Sequence, residues 1–273
     1  MSADQRTADA FATSWNHLPE GSIYTKAQFD DWLYPVSGSD VSGKTVLELG
    51  CGNGSLLVHM ADWAPIFLEG VDLGDSVKSA QDNMSRLPFT HWRITQADMT
   101  GFRSSQLYDF VYSIGVLHHL MDPKLGLDAV IANTRSGGRF HCWVYAAEGN
   151  GIVIHLVDPI RKIASRLPWW LTKYFIATPL VLPYFFYAKA ISRLGSLPWI
   201  RQLPLYDYSC WISRRNLGFF RHVAFDQLVT PQTAYLSRAV IEAWLASYDT
   251  IDKDSVYIMM RNGNSWKFGG SLK

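Results

Sequence analysis

Between Lys44 and Tyr145, short runs of apolar and β-branched residues alternate with segments of helical periodicity, and this alternation constrains the fold more than any other feature. The runs with the length and composition of strands are Thr45–Leu49, Ile66–Leu73, His91–Thr95, Asp109–Ile114 and Arg139–Tyr145. Between them, Ser76–Arg86 and Pro123–Thr134 have helical character, and Gly137-Gly138 indicates a turn into the fifth strand. Strands that alternate with helices favour a parallel sheet covered by helices on both faces.

The alternation stops after Asn150, where the sequence changes in character. Residues 151–230 are aromatic, basic and punctuated by prolines, and a further helix of the core is expected only after Ser237. Ser237 is a typical helix N-cap residue, and the apolar stripe that follows it consists of Val240, Ile241, Trp244 and Leu245. We therefore expect the fifth strand to lead into an inserted helical cap, followed by a further helix.

The end of the chain predicts a β-hairpin. Val256–Arg261 and Asn264–Phe268 have the composition of strands, and they flank Asn262-Gly263, a pair that favours a type I′ turn. The hairpin adds two strands to the five above and makes the last strand antiparallel. The expected fold class is therefore α/β, with a doubly wound, mostly parallel seven-stranded sheet, an antiparallel last strand and a helical cap insertion after the fifth strand.

Composition narrows the classes of partner. Charged residues make up 18% of the 273 residues, below the roughly 25% of an average soluble domain, whereas 48% are apolar and eleven are Trp. The apolar excess indicates that the protein handles an apolar ligand or surface. The formal net charge is only +1, so the chain as a whole lacks the positive field that binds phosphate backbones. We therefore expect no nucleic-acid partner.

The cysteines and the first residues bear on localisation. Cys51, Cys142 and Cys210 are odd in number and far apart, with no Cys-x-x-Cys pair and no His at metal-ligand spacing, so we expect reduced thiols and no metal. The first residues include an early acid and no apolar run of signal-peptide length, which predicts a cytoplasmic protein. The most apolar stretch, Tyr174–Ala188, is shorter than the roughly 20 residues that cross a bilayer, and two prolines interrupt it. We expect it not to span a membrane.

The turn after the first strand predicts a ligand site. Glu48-Leu49-Gly50-Cys51-Gly52-Asn53-Gly54 joins that strand to a helix that starts near Ser55, and its glycines let the backbone approach a ligand without a Cβ in the way. The glycine pattern alone also fits a tight turn with no ligand. About 20 residues on, Asp72 closes the second strand, where a carboxylate accepts hydrogen bonds from ribose hydroxyls or caps the helix from Ser76 onward.

Several motifs in the same order resemble the class I S-adenosylmethionine-dependent methyltransferases, in particular their small-molecule group. These motifs are Val46–Gly54 with its Gly-x-Gly-x-Gly spacing, Asp72, Gln96–Met99, Tyr108–Phe110 and Gly115–His119. The resemblance covers roughly residues 44–145 and the terminal hairpin. Dinucleotide enzymes differ, because they carry Gly-x-Gly-x-x-Gly and generally lack the antiparallel last strand. One departure is Arg135-Ser136-Gly137-Gly138, where the family usually has Lys-Pro-Gly-Gly.

The resemblance implies S-adenosylmethionine as the cofactor. In the family, the residue at the position of Asp98 accepts a hydrogen bond from the adenine amine, and its neighbour, Met99 here, lines the adenine ring. The cofactor contacts expected on this basis are Tyr24, Glu48, Gly50, Cys51, Gly52, Asn53, Gly54, Asp72, Leu73, Asp98, Met99, Ser113 and Ile114.

Aromatic residues upstream of the first strand predict a lid. Phe11, Trp15, Tyr24, Phe29 and Trp32 are spaced as a pair of N-terminal helices that folds over the cofactor. Aromatic faces hold cations such as a sulfonium. Tyr24 is the expected contact, with simple packing against the sheet as the alternative.

A histidine pair follows the fourth strand, at the sheet edge where ligands bind in open α/β folds. A hydroxyl acceptor loses a proton during methyl transfer, and histidine is a suitable general base. The run Val116–Leu120 resembles the Leu-His-Asp-Trp region of small-molecule O-methyltransferases, where the first polar residue is the base, so His118 is the expected base and His119 its neighbour. Leu-His-His also occurs in methyltransferases that act on carbon and nitrogen, and a structural histidine is the alternative.

The cap is expected to choose the acceptor. Asp158–Leu167 and Tyr184–Gly195 have the spacing of amphipathic helices with basic residues beside the apolar stripe. Such stripes pack on a core or, alternatively, contact an anionic membrane. Asp226 and Gln227 lie where the cap returns to the sheet, and they either line the site or form a turn. The residues expected to contact the acceptor are Tyr145, Glu148, Tyr184, Tyr187 and Tyr235.

These observations divide the chain into four segments. They are an N-terminal helical lid (1–42), a Rossmann-like core (43–150), a helical cap (151–230), and a C-terminal helix with the hairpin (231–273). The predicted function is transfer of a methyl group from S-adenosylmethionine to a small hydrophobic or lipid-linked acceptor, at oxygen. The alternatives are a non-catalytic S-adenosylmethionine-binding regulatory protein, a methyltransferase acting on carbon or nitrogen, and one acting on RNA or protein.

Overall fold

A computed structural model describes residues 4–5, 7–9, 24–195 and 197–273 of the protein. In this part of the chain, seven strands form one sheet in the order β3-β2-β1-β4-β5-β7-β6. In chain order they are β1 Thr45–Leu49, β2 Phe67–Asp72, β3 Trp92–Gln96, β4 Tyr108–Ile114, β5 Thr134–Tyr145, β6 Ile251–Arg261 and β7 Ser265–Leu272. β7 runs antiparallel to both β5 and β6, and the other neighbouring strands pair in parallel. The predicted fold class, with its antiparallel last strand, is confirmed.

Helices cover both faces of this sheet and also form the cap, residues 151–230. In chain order they are α1 Lys26–Leu33, α2 Gly38–Val41, α3 Ser55–Ala61, α4 Val77–Ser85, α5 Pro123–Asn133, α6 Asp158–Ala164, α7 Trp169–Leu171, α8 Thr178–Leu194, α9 Tyr206–Ile212, α10 Leu217–Val229 and α11 Arg238–Ala246. Successive strand residues point to opposite faces. Val46 of β1 belongs to the apolar cluster that contains Leu57 of α3, whereas Leu47 belongs to the cluster that contains Leu127 of α5 and Ile241 of α11.

Local sequence signals set several element ends. The first four strands begin and end within one residue of their predicted limits. The Asp122 carboxylate accepts a hydrogen bond from the Lys124 amide at 2.9 Å and caps α5, and the Ser237 side chain caps α11. Asn262 and Gly263 both have positive φ, 50° and 66°, as a type I′ turn between β6 and β7 requires.

The start of the fifth strand was predicted wrongly. β5 begins at Thr134 rather than Arg139, so Gly137-Gly138 lies inside the strand. The register with β4 shifts between Tyr108 and Phe110, opposite this glycine pair. Gly137 has a φ of +72°, and a Cβ on Gly138 would lie 2.9 Å from the Arg135 carbonyl oxygen. The glycines therefore allow a local irregularity in the strand and do not mark its beginning.

The prolines of the cap do not interrupt its longest helix, contrary to the sequence prediction. Trp169–Leu194 is one continuous helix of 26 residues, formed by α7, a π-helical segment at Thr172–Ala177 and α8. Pro179 lies just after the π-helical segment and Pro183 lies inside α8, and the helix continues through both although neither proline has a backbone N–H to donate. By length and composition alone this helix could cross a membrane, and 22% of its most apolar window is buried.

The cap follows β5 and lies at the edge of the sheet where the parallel strands end. Within the cap, two small apolar clusters join its helices, one around Phe225 of α10 and one around Phe220 of α10 and Val181 of α8. Where the cap begins, the Asn150 side-chain amide donates to the carbonyl oxygens of Ala146 and Asn264, each at 2.7 Å. The cap therefore has packed cores of its own and is held to the end of the sheet.

Candidate active site

A cavity of about 690 Å³ lies between the carboxyl edge of the sheet and the cap. Its walls come from the glycine-rich loop after β1, the ends of β2 and β4, helix α1, and the cap helices α8, α9 and α10. Volumes of this size are typical of small-molecule sites, which are mostly apolar with a few convergent polar groups. The predicted cofactor loop and the cap thus line the same cavity.

The glycine-rich loop has the backbone that its sequence predicts. Gly50, Gly52 and Gly54 have φ angles of +84°, +53° and +76°, a region that favours glycine. Gly50 and Gly52 line the cavity, together with Cys51. A Cβ on Gly50 would lie 2.4 Å from the Val116 side chain, so the loop packs closely against the segment after β4.

Three residues predicted to contact the cofactor make contacts within the fold and are not part of the described cavity wall. The Asn53 side chain accepts from the Ser55 amide at 3.1 Å at the start of α3. A Cβ on Gly54 would lie 3.1 Å from Ala80, so this glycine allows close contact between α3 and α4. The Ser113 hydroxyl is buried and donates to the Leu49 carbonyl oxygen at 2.7 Å, which joins β4 to β1.

Asp72 lines the cavity and also organises the loops around it. One carboxylate oxygen accepts from the Gly52 amide at 2.9 Å, and the other accepts from the Gly74 amide at 2.9 Å and the Ser76 hydroxyl at 3.2 Å. A carboxylate has about four acceptor sites, so capacity remains for a ligand hydroxyl. Asp72 therefore faces the cavity and also contacts the start of α4.

The predicted adenine contacts lie further along the same wall. Asp98, Met99, Leu73 and Ile114 all line the cavity. One Asp98 oxygen accepts from the backbone amide and the hydroxyl of Thr100, at 2.9 and 2.7 Å. The side chain of Met99 is 5% exposed and provides an apolar surface beside the acid.

Glu48 is a buried acid at the end of β1. It lines the cavity, and its carboxyl accepts a hydrogen bond from the Tyr112 hydroxyl at 2.9 Å. Burial raises the pKa of Glu48 to about 8; the Tyr112 hydrogen bond opposes the rise, and the charge of Asp72 adds to it. Without a cationic partner, this carboxyl is therefore largely protonated at neutral pH.

Three buried side-chain N–H groups without a hydrogen-bond partner among the described residues occur on residues that line the cavity. They belong to Gln28 and Trp32 of α1 and Trp143 of β5, and the two indole rings lie 5.9 Å apart. Buried polar groups almost always have a partner. Unpaired donors in a cavity wall therefore indicate a ligand that brings acceptor atoms, such as a carboxylate.

Tyr24 lines the cavity and packs at the same time. Its ring lies edge-on to Trp32 at 4.7 Å, and burial together with the charge of Asp226 holds its pKa well above the usual range. Phe29 is fully buried, 4.7 Å from the Trp63 ring, and does not face the cavity. Phe11 and Trp15, the other members of the predicted lid, lie outside the described residues.

His118, the expected base, does not lie at the cavity surface. The side chain is fully buried, and its ring lies 4.1 Å from both the His119 and Tyr145 rings. Neither ring nitrogen has a hydrogen-bond partner among the described residues. Burial, and to a lesser extent His119 and Arg161, hold its pKa well below the usual range. This environment does not favour His118 as a general base.

His119 does line the cavity, and its hydrogen bond identifies the neutral tautomer. Nδ1 lies 3.1 Å from the Gln232 carbonyl oxygen, which only accepts, so Nδ1 carries the proton. Burial lowers the pKa of His119 to about 3, although the bond to Gln232 opposes the shift. At neutral pH the ring is uncharged and only weakly basic.

A second histidine, which the sequence analysis missed, faces the cavity from the cap. His222 and Asp226 lie one turn apart on α10, both line the cavity, and His222 Nε2 lies 3.1 Å from Asp226 Oδ2. The carboxylate accepts, so Nε2 is the donor and Nδ1 carries the lone pair in the neutral ring. Nδ1 is buried and has no hydrogen-bond partner in the described part of the chain. A base oriented by a carboxylate is a recurrent catalytic arrangement.

The predicted acceptor residues separate into two groups. Tyr145, Tyr184 and Tyr235 line the cavity, as do Asp226 and Gln227. Tyr187 instead lines an adjoining cavity of about 370 Å³ and donates to the Pro204 carbonyl oxygen at 2.6 Å. Glu148 is not part of the described cavity wall: its carboxylate accepts from the Arg238 amide at 3.0 Å and the Trp266 indole at 2.9 Å. Its role is therefore to hold the start of α11 against β7.

Sequence comparison identifies the family. The sequence model described as a methyltransferase domain matches residues 23–196, which is more than half of the chain. The chain belongs to this methyltransferase family. The resemblance predicted from Val46–Gly54, Asp72 and Asp98 is thereby confirmed, and S-adenosylmethionine is the cofactor of the family.

Curated relatives of this methyltransferase act on different acceptors. It is 31% identical over 116 residues to the ubiquinone biosynthesis O-methyltransferase of Bordetella pertussis, covering 42% of this chain and 46% of the relative. It is 29% identical over 100 residues to the pavine N-methyltransferase of Thalictrum flavum, covering 36% and 28%. It is 26% identical over 136 residues to the tRNA U34 carboxymethyltransferase of Idiomarina loihiensis, covering 48% and 42%. The matched region thus spans less than half the length of each of these relatives.

Solved structures share the fold along the whole chain. The magnesium protoporphyrin IX methyltransferase of Synechocystis PCC 6803, solved with bound S-adenosylmethionine, aligns with 100% of this chain and 98% of its own. The TM-score is 0.56 and the sequence identity 12%. The same enzyme with bound S-adenosylhomocysteine gives a TM-score of 0.55. These values establish a common fold.

The cavity wall of this methyltransferase fits S-adenosylmethionine. The buried Glu48 carboxyl suits an ammonium group, and the unpaired donors of Gln28, Trp32 and Trp143 suit a carboxylate. Asp72 has acceptor capacity for ribose hydroxyls, and Asp98 with Met99 offers an acceptor beside an apolar surface for adenine. Among the described residues, no group of three or more His, Cys, Asp or Glu could hold a metal ion.

Proposed function

We propose that this protein transfers a methyl group from S-adenosylmethionine to a hydroxyl group of a small hydrophobic molecule bound under the cap. The observation that carries this proposal is the single cavity of about 690 Å³, which joins the glycine-rich loop to a cap wall that contains one histidine oriented by a carboxylate. Methylation at oxygen needs such a base, because the hydroxyl loses its proton.

The cap wall supports a hydrophobic acceptor. It contributes Val181, Trp211, Ile212, Phe219, Phe220 and Val223 to the cavity. The polar groups of the cap wall are few: the hydroxyls of Tyr184 and Tyr208, the Gln227 amide and the His222–Asp226 pair. A pocket of this kind orients an apolar molecule through one or two hydrogen bonds. Four curated relatives are ubiquinone biosynthesis O-methyltransferases, which agrees with a hydroxyl acceptor.

In this proposal, each part of the cavity wall has its own role in the reaction. Asp226 accepts the Nε2–H of His222, so that Nδ1 is free to take the hydroxyl proton as the acceptor oxygen attacks. Asp226 then stabilises the resulting imidazolium. The glycine-rich loop, Asp72 and Asp98 orient the cofactor, and the apolar cap wall excludes water from the reacting atoms. S-adenosylmethionine, when bound, supplies the electrophilic methyl group.

Product formation tests this proposal. The purified protein is incubated with S-adenosylmethionine and a panel of phenols and catechols that carry no chain, an octyl chain or a polyprenyl chain. We expect S-adenosylhomocysteine and a methyl ether to form, with the chain-bearing probes preferred. Methylation of an amine panel or of unfractionated tRNA, with no methyl ether formed, would contradict it. Cofactor binding without any product would instead identify the non-catalytic regulatory protein.

We also propose that the protein is cytoplasmic. Cys51, Cys142 and Cys210 are free thiols, which suits the reducing cytoplasm.

The acceptor is a small molecule rather than a nucleic acid in this proposal, because the cap wall is apolar at the positions that surround His222.

A further inference from the structure

The long cap helix exposes apolar side chains where a soluble protein usually has polar ones. Within Trp169–Leu194, all of which is described, exposed positions recur every three or four residues from Trp170 to Leu194, and Arg193 is the one charged residue among them. Phe175 is 67% exposed and Phe186 is 66% exposed. The solvent side of a surface helix is normally its polar side, so this row of residues indicates contact with something apolar.

The exposed row belongs to a larger surface, the cap face. We define the cap face as the exposed side chains of Ile163, Trp170, Phe175, Phe186, Leu194 and Trp199. Among the described residues, eleven of the eighteen exposed large apolar side chains lie between residues 152 and 199. A concentration of this kind marks an interaction surface rather than scattered surface residues.

The other side of the same helix is packed into the protein. Val181, Ala188 and Ile191 are buried, and the first two share an apolar cluster with Ile212 of α9 and Phe220 of α10. A helix that packs along one side against its own domain cannot be surrounded by lipid. The geometry is that of a helix lying flat on a surface, with one face available to it.

The charge of the chain is concentrated on the cap. Residues 151–230 contain ten Lys and Arg against three Asp and Glu, a net charge of +7, whereas the rest of the chain contains fifteen against twenty-one, a net charge of −6. The exposed cations of the cap are Lys162, Arg166, Arg193, Arg201 and Arg214. Two of the three acids are paired, Asp158 with Arg161 and Asp226 with His222. The outer surface of the cap is therefore positive as well as apolar.

The active-site cavity reaches this surface. Ile152, Pro183, Tyr184 and Leu205 line both the large cavity and the adjoining one. Ile152 is 48% exposed, and Pro183 occupies one of the exposed positions of the long helix. These shared side chains are apolar or aromatic, and we infer that an apolar passage runs past them from the acceptor site to the outer side of the helix.

We propose that the cap face docks on an anionic membrane and that the acceptor enters the cavity from the bilayer through this passage. The lipid origin of the acceptor rests on the function proposed above. Aromatic and aliphatic side chains flanked by cations match an anionic lipid surface. A single-stranded nucleic acid would use the cations and aromatic rings, but it has no use for the aliphatic side chains or for an apolar passage.

Vesicle binding tests the membrane contact without cofactor or acceptor. We expect the protein of residues 1–273 to sediment with phosphatidylcholine vesicles that contain about 30% phosphatidylglycerol, and much less with phosphatidylcholine alone. Raising the salt from about 0.05 M to about 0.5 M should release most of it. The double variants Phe175→Ser/Phe186→Ser and Arg193→Glu/Arg201→Glu should each bind at least about tenfold more weakly.

Matched controls separate this result from general surface effects. Ile66 and Leu107 are 58% and 51% exposed but lie outside the cap, and Arg86 is an exposed cation on the core. Ile66→Ser/Leu107→Ser and Arg86→Glu should bind vesicles like the wild type. Melting curves check that every variant is folded. Equal binding by the cap-face and control variants, or no binding to anionic vesicles at low salt, overturns the proposal.

Two further outcomes assign the surface to another partner. Binding to unfractionated tRNA that Arg193→Glu/Arg201→Glu abolishes, with no vesicle binding, would make it a nucleic-acid surface. A dimer in solution that Phe175→Ser/Phe186→Ser converts to a monomer, again with no vesicle binding, would make it a self-association surface. Each of these results overturns membrane docking.

Acceptor entry has its own measurement. With a polyprenyl phenol embedded in the anionic vesicles, Phe175→Ser/Phe186→Ser should lose most of the methylation rate, whereas a soluble short-chain phenol should be methylated at the wild-type rate. Equal methylation rates of the wild type and of Phe175→Ser/Phe186→Ser on the embedded probe would overturn entry from the bilayer. Vesicle binding with no methylation of any phenol would leave the docking surface intact and contradict only the function proposed above.

Discussion

The histidines in and beside the cavity differ in how well the surrounding protein stabilises their charged forms. His118 and His119 are both buried, and the loss of water disfavours their charged forms. His222 has a carboxylate within hydrogen-bond distance, and both residues line the cavity. The charge that His222 gains on accepting a proton is therefore offset by Asp226, whereas His118 has no such partner among the described residues.

This difference predicts the effect of single substitutions on turnover. His222→Gln should lower kcat by about 10²–10⁴ on a phenol acceptor, because the proton acceptor is lost, while cofactor affinity changes little. Asp226→Asn should cause a smaller loss, since the ring remains. The measurements are initial rates of S-adenosylhomocysteine formation and calorimetric binding of S-adenosylhomocysteine.

His118→Gln is the matched comparison. Its ring does not reach the cavity wall, so the folded variant should keep its rate constant within a few-fold. Loss of the rate in His118→Gln combined with a normal rate in His222→Gln would return the role of base to the strand-end histidine.

Glu48 predicts how the stability of the cofactor-free protein depends on pH. Its pKa in the folded protein, about 8, lies above the value of 4.5 for a free glutamate. The folded state therefore holds the proton more tightly than the unfolded state, and the resulting stability is complete below about pH 4.5 and is lost as the pH rises toward 8. The Tyr112 hydrogen bond can form to glutamine as well, so Glu48→Gln is the isosteric control.

Denaturant unfolding from pH 5 to 8 measures this effect. The free energy of unfolding of the wild type, minus that of Glu48→Gln, should decrease with rising pH by up to about 1.4 kcal/mol per pH unit. A difference that stays constant with pH would show that the carboxyl of Glu48 is already ionised in the folded, cofactor-free protein.

At the scale of elements, the Asn150 side-chain amide joins the start of the cap to the end of β5 and to the hairpin. Asn150 is 4% exposed and bonds to carbonyl groups at the end of β5 and at the hairpin turn. Asn150→Ala leaves the carbonyl oxygens of Ala146 and Asn264 without this donor and should lower the free energy of unfolding by about 1–3 kcal/mol. Urea unfolding measures the change.

Gln202 provides the control for this prediction. It is an exposed amide within the same cap, so Gln202→Ala should change the free energy of unfolding by less than about 0.5 kcal/mol. Equal effects of the two substitutions would mean that the junction contributes nothing specific.

The elements also show which sequence signals are reliable. The first four strands were predicted closely because their apolar runs are bounded by turn residues. Helix α10 was missed because Leu217–Val229 carries apolar residues on all sides and has no clear amphipathic period. It packs against other cap helices and also lines the cavity, and this double contact accounts for the apolar residues on all its sides. The His-x-x-x-Asp spacing within this helix was the sequence signal that could have identified the His222–Asp226 pair.

At the scale of the whole molecule, the cavity is formed by segments far apart in the chain. Gly50 and Asp72 come from the core, Tyr24 precedes it, and His222 lies on the cap, yet all line one wall. The described cap covers the carboxyl edge of the sheet, so residues of the core and of the cap line the same cavity.

The sequence alone determined the α/β class, the positions of the first four strands, the glycine-rich turn and the carboxylates at Asp72 and Asp98. These features depend on local periodicity and on spacing along one strand–turn–helix unit. The tertiary structure decided that His118 is enclosed and His222 faces the cavity, that Glu148 holds β7 to α11, and that Phe175 and Phe186 are exposed. Burial and exposure are set by contacts between distant segments, and no local pattern encodes which of two similar side chains those contacts will cover.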